Sequence, residues 1–122
     1  MHTLYEQLGG EAAVTAAVRV LYRKLLEDNL TRPFFSDLDM EAQTRKQIAF
    51  MTWAFDGPSE YRGRDLRAAH APLVKQRGLN DTHFDAVARA LEDTLDELSV
   101  PSELRDEAMR RVASLRAEVL GK

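Results

Sequence analysis

From Val14 to Val119 the apolar residues of this chain return at steps of three and four, and no stretch alternates as a strand would. Val14, Val18, Leu21, Tyr22 and Leu25 form the first long stripe, which begins after the Gly9-Gly10 pair. Phe84, Val87, Ala88, Leu91, Leu95 and Leu98 form a second. Leu104, Ala108, Val112, Leu115 and Val119 form a third, with Pro101 in or just before its first turn. Such spacing puts side chains on one face of an α-helix. A further long helix is predicted from Asp39, a good N-cap, to Phe55. Breakers separate these pieces: Pro33 in "NLTRPFF" delivers Phe34 and Phe35 into a short corner, "DGPSEYRG" interrupts at 56–63, and Gly78 ends "DLRAAHAPLVKQRG". The predicted class is all-α, and the 122 residues suit one domain, 1–122.

Composition narrows the function. Seventeen basic against twenty acidic side chains give a net charge of −3, which argues against nucleic-acid binding and gives no support to an anionic membrane partner. There is no cysteine, so disulfides, thiolate zinc sites, iron–sulfur clusters and cysteine nucleophiles are excluded. "MHTLYEQLGG" has no apolar signal core, and no run reaches the roughly eighteen apolar residues of a membrane span. A cytoplasmic protein is expected.

Several polar residues sit where apolar ones belong. On the helix from Asp39, Gln43 and Gln47 share a face with Phe50 and Ala54. A buried amide without partners costs about 1 to 3 kcal/mol, so each glutamine either reaches solvent or bonds an occupant of a cavity. Tyr22 poses the same question on the preceding helix, because a buried phenol also needs a partner. His70 stands among Ala68, Ala69 and Ala71, with Pro72 two places on. It is either a packed helix residue or a ligand. His2, His70 and His83 are scattered without HExxH or zinc spacing, and no Gly-x-Ser-x-Gly elbow is present. Haem, by contrast, asks the protein for one axial histidine. Pro72 would lie in the first turn of a short helix or kink a longer one.

The ordered set "LYEQLGG", Tyr22, "PFFSDLDM", "Q…QIAF", "GPSEYRGRDLRAAH" and "GLNDTHFDAV" resembles the truncated haemoglobins, most closely their group I, over essentially the whole chain. The resemblance implies a shortened globin fold, a two-over-two helical sandwich around non-covalent haem b (iron protoporphyrin IX). It implies His70 as the proximal iron ligand, with its second ring N–H donated to a neighbouring carbonyl. Tyr22, Gln43 and Gln47 would then be distal donors to oxygen, nitric oxide or carbon monoxide. Phe35 would pack on the haem, and Phe50, Leu66, Val74, Leu79, Phe84 and Val87 would complete the apolar wall. Lys46 would contact a haem propionate or bind iron as a sixth ligand; Tyr61 and Arg64 would reach propionates or lie in a solvated loop. His83 is expected at the surface.

The chain departs from the family where Asp56-Gly57 follows the distal helix instead of Gly-Gly, which predicts a stiffer hinge. No histidine follows His83, so haem attachment through a late histidine is excluded. Reversible oxygen binding is the function implied, with conversion of nitric oxide to nitrate, aided by an unidentified reductase, as an activity the resemblance allows. Two alternatives stand beside it: a six-coordinate haem protein for electron transfer or redox sensing with Lys46 as the switch, and a haem-free helical interaction domain.

Overall fold

Seven α-helices and one 3-10 turn make up the described residues, 2–59 and 61–122, of the computed structural model. α1 (Leu4–Leu8) is short, begins at Thr3, whose hydroxyl accepts the Glu6 N–H, and ends at Gly9. Gly9 has φ 116°, and a Cβ there would meet Ala13 Cβ at 2.9 Å, so the turn is open only to glycine. α2 (Gly10–Glu27) leaves at once and buries the predicted stripe Val14, Val18, Leu21, Tyr22 and Leu25. Beyond it the buried Thr31 hydroxyl donates to the Leu25 carbonyl at 2.7 Å. That bond folds the chain back on α2 and sets the turn Arg32–Phe34, the corner expected from Pro33.

α3 (Met40–Ala54) starts where predicted, with the Asp39 carboxylate accepting from the N–H groups of Glu41 and Ala42. α4 (Gly63–Arg77) settles the question of Pro72: one continuous helix runs through it, leaving the Ala68 carbonyl without its usual N–H partner. α5 (Asp81–Glu97) is capped by Asn80, and His83 Nδ1 accepts the Asn80 N–H at 3.1 Å.

The last predicted helix is two. α6 (Ser102–Ala113) and α7 (Arg116–Leu120) are separated at Ser114-Leu115, where the Ser114 hydroxyl donates to the Arg111 carbonyl at 2.6 Å. Serine bonding its own backbone competes with helix continuation, and the unbroken apolar stripe conceals this.

α2 is the organising element. It packs on α3 and on α5; α5 packs on α6, α1 closes against α2 and α6, and α4 packs on α7. The core formed between α1, α2, α3, α5 and α6 includes Leu4, Val18, Leu21, Met51, Phe55, Leu91 and Leu95. α3 and α4 are not among the closely packed pairs. No described helix is long and apolar enough to cross a membrane.

Candidate functional site

α2 and α3 bring three polar side chains together. Gln43 Nε2 donates to the Tyr22 hydroxyl at 3.2 Å, and that hydroxyl donates to Gln47 Oε1 at 3.3 Å. The glutamines are half-buried and Tyr22 is buried, so of the two alternatives left open for the glutamines neither is met in full: they bond Tyr22. Each polar group answers the other's need for a partner, and among the described residues no buried side-chain N or O lacks one. Burial pushes the Tyr22 phenol up to about 12, against a smaller downward pull from the Gln43 hydrogen bond. The phenol is therefore a donor throughout the physiological range. Phe35 meets the Tyr22 ring edge-on, with centroids 5.4 Å apart.

His70 lies on α4. Its Nδ1 is 2.8 Å from the Leu66 carbonyl one turn earlier, which only an Nδ1–H donor satisfies. The ring is half-buried, and Nε2 has no hydrogen bond among the described residues. Desolvation lowers the imidazole pKa, partly offset by the Leu66 bond, so the neutral ring with a lone pair on Nε2 is the form at neutral pH. Leu66 beneath it is 1% exposed.

The remaining predicted wall residues vary in burial. Val74 and Leu79 are half-buried, and Phe50 and Val87 are half-buried against the main core. Phe84 is buried, with the Arg116 guanidinium 4.5 Å above its ring centre. Tyr61 packs on Phe50 and Trp53. Lys46 and Arg64 are exposed and join none of these groups. His83 is both the α5 cap and an edge-on neighbour of Phe34, 4.9 Å between centroids. Sequence reading passed over two contributors: Trp53, whose signal is its place three residues after Phe50, and Arg116, whose stacking on Phe84 leaves no local signature.

This arrangement fits haem. A flat apolar group needs one nitrogen ligand and apolar walls, and here a neutral imidazole with an uncommitted Nε2 faces out from a helix whose Leu73 and Val74 are only half-covered. No described cluster of three His, Cys, Asp or Glu side chains offers a different metal site.

Comparison with known proteins decides the family. The model of the bacterial-like globin family matches residues 3–120. The chain is a truncated haemoglobin of that family. Group 1 truncated haemoglobin GlbN of a Synechocystis species is 50% identical over 104 residues, 85% of this chain and 84% of that protein. The group 1 truncated haemoglobin of Tetrahymena pyriformis is 40% identical over 120 residues, 98% of this chain and 96% of its own. Among solved structures, the 2/2 haemoglobin of a Synechococcus species, cyanomet and with covalently attached haem, has a TM-score of 0.93 at 46% identity, covering 99% of this chain and all of that one. The Fe(III) form of the Tetrahymena pyriformis protein has a TM-score of 0.87 at 40% identity, covering 99% and 100%. Forms of that protein with a tyrosine replaced by phenylalanine, or a glutamine by glutamate, are similar too. The truncated haemoglobin described here thus has the two-over-two fold, binds haem and takes diatomic ligands, and the haem-free alternative falls away.

Proposed function

We propose that this globin holds haem iron through His70 Nε2 and binds oxygen reversibly, with Tyr22, Gln43 and Gln47 as donors to it. The observation that carries the reading is the Tyr22–Gln43–Gln47 hydrogen-bonded set between α2 and α3; His70, anchored through Nδ1 on α4 with Nε2 uncommitted, suits the role of iron ligand. In the Tetrahymena pyriformis protein the substituted tyrosine and glutamines stand at the same spacing as these three residues, which supports the same grouping.

Ferrous haem, when bound, supplies the metal that takes a diatomic ligand. The chain's residues supply the rest. The Leu66 carbonyl orients the His70 ring and keeps its tautomer. Phe35, Phe50, Val74, Leu79, Phe84 and Val87 exclude water from the pocket walls. Gln43 holds the Tyr22 oxygen from behind, so the hydroxyl hydrogen is free to turn from Gln47 toward a negatively charged acceptor. That turn releases the Gln47 amide, whose N–H groups become a second donor. Lys46 reaches solvent from α3, and we assign it to a propionate rather than to the iron. The same donors suit conversion of nitric oxide to nitrate, with electrons returned by a reductase; nitrate formed on mixing the oxygenated protein with nitric oxide tests that step.

Hydrogen bonds to a charged acceptor contribute roughly 1.5 to 3 kcal/mol, so Tyr22→Phe is expected to speed oxygen release by about ten- to a hundredfold in stopped-flow measurements. An unchanged rate would remove Tyr22 as the donor.

A further inference from the structure

Gly57 is the one glycine of the chain that follows an aspartate, and no Asn-Gly pair occurs. Packing asks for each residue of the Asp56-Gly57 pair separately. Gly57 lies against α1 and α3: a Cβ there would meet the Tyr5 ring at 2.6 Å and Thr52 Cγ2 at 2.7 Å. Asp56 turns the chain at φ 66°, a conformation that aspartate tolerates better than most residues. Its carboxylate accepts from Arg111 of α6 at 2.6 Å. Together the two residues place a carboxyl group beside a main-chain nitrogen that no side chain crowds. An aspartate closes most readily on the nitrogen that follows it when that nitrogen belongs to glycine.

We propose that Asp56-Gly57 is a site of self-modification, at which the Asp56 carboxyl group closes on the Gly57 nitrogen and reopens as isoaspartate, and that Arg111 sets the rate. Neither haem nor the roles of Tyr22, Gln43, Gln47 and His70 enter this inference. The reaction needs only water. Gly57 N bonds Asp56 Cγ, and the nitrogen's hydrogen leaves with a carboxyl OH as one water. Water then adds back to the cyclic imide. Addition at Cγ restores aspartate; addition at the main-chain carbonyl breaks the original peptide bond, so that the chain runs through Cγ. Mass is unchanged, the main chain is one methylene longer, and the carboxylate now hangs on Cα.

Two contacts oppose closure in the folded chain. Arg111 draws the carboxylate toward α6, and an oxygen that accepts this charge-assisted bond cannot leave as water. Glu107, one turn earlier on α6, steadies the guanidinium at 3.3 Å. The Thr52 carbonyl takes the Gly57 N–H at 2.7 Å, and a carbonyl is no base to relieve the nitrogen of its proton. The ion pair is the weaker guard, because the Asp56 side chain is 58% exposed whereas Thr52 is buried. Three main-chain bonds lie within reach of the added methylene. They are Asp56 N–H to the Trp53 carbonyl at 3.1 Å, Gly57 N–H to Thr52, and Tyr5 N–H to the Phe55 carbonyl at 2.8 Å, which seats α1 on the end of α3.

The test ages the full-length protein at physiological temperature and neutral pH, with the chain unfolded in urea as the reference. Isoaspartate at position 56 is read by enzymatic methylation with labelled S-adenosylmethionine. It is read again as a peptide of unchanged mass that a protease specific for aspartate no longer cuts. Arg111→Leu, shown to be folded by circular dichroism, should raise the folded-state rate about two- to fivefold, the range an exposed ion pair can supply. Wild-type protein in about 1 M salt, where such a pair is screened, should rise likewise without any substitution. Asp39→Ala, which loosens the far end of α3 and leaves Arg111 in place, should keep the wild-type rate. Three results would each overturn the proposal: no isoaspartate at 56 in folded Arg111→Leu after the unfolded chain has converted, a folded rate indifferent to both Arg111→Leu and salt, or equal acceleration in Asp39→Ala.

Discussion

His70 has two ring nitrogens, and its surroundings treat them differently. Donation of Nδ1–H to the Leu66 carbonyl at 2.8 Å leaves a lone pair on Nε2, and burial holds the ring's proton affinity below the ordinary value of 6.5. As pH falls through 6.5, the unfolded chain takes up a proton that the folded chain refuses. The haem-free protein therefore becomes easier to unfold from about pH 6.5 down to the lower folded pKa, and this contribution is flat above. His70→Gln should remove that part of the acid sensitivity, while His2, His83 and the carboxylates remain in both proteins. Melting curves at about pH 7.5 and about pH 5.5 compare the two, and parallel behaviour would contradict a depressed His70. Tyr22, Gln43 and Gln47 stood out in the sequence as polar groups on faces the helical period assigns to the interior, but periodicity left open whether the glutamines reach solvent, and it did not show that the three bond one another. His70 was not legible in that way: its alanine neighbours suit a packed helix equally well, and only the family resemblance separated the two readings. Trp53 with Tyr61, and Arg116 over Phe84, were not legible, since each pairing joins residues from separate elements.

At the scale of elements, α3 matters most because one helix carries both glutamines and Phe50. Its register is fixed at Asp39, whose carboxylate accepts from Glu41 N–H at 3.0 Å and Ala42 N–H at 3.3 Å. Asp39→Ala should cost about 1 kcal/mol in a denaturant titration, and Asp39→Ser should recover most of it. Equal stability of all three proteins would mean that packing on α2, not the cap, sets the start of α3. The other end of α3 is pinned as well. Asp56 takes φ 66°, a left-handed conformation usually left to glycine, and its carboxylate accepts from Arg111 of α6 at 2.6 Å. α2, α3, α5 and the stretch of α6 and α7 were readable from apolar spacing and breakers, with the bounds of α3 to within a residue, whereas α1 is too short to show a period. The division of α6 from α7 was not. Ser114 breaks the helix with a side-chain bond to its own backbone, and neither glycine nor proline marks the place. Pro72 was ambiguous for the opposite reason. A proline argues for an interruption, yet α4 continues to Arg77 and packs against α7.

Across the whole molecule, α2 joins two halves. On one side it supports α3 with Gln43 and Gln47; on the other it supports α5, against which α6 packs. α4, carrying His70, belongs instead with α7. Arg67 of α4 pairs with Glu118 of α7 at 3.2 Å, and Arg116 of α7 pairs with Asp81 and Asp85 of α5 at 3.0 and 2.6 Å. These exposed pairs add little stability singly, but their placement ties the histidine's helix to the rest of the fold through a short terminal segment. The two-over-two topology was beyond reach of periodicity alone, because stripes identify buried faces without naming the faces they meet. The proposed function depends on His70 holding the iron. Visible spectra of ferrous, carbon monoxide-bound protein test it most directly, taken for wild type and for His70→Gly with and without added imidazole. A stable Soret band is expected in wild type, with loss of the band or its displacement in His70→Gly and recovery when imidazole fills the vacated space. A His70→Gly spectrum identical to wild type without imidazole would contradict it.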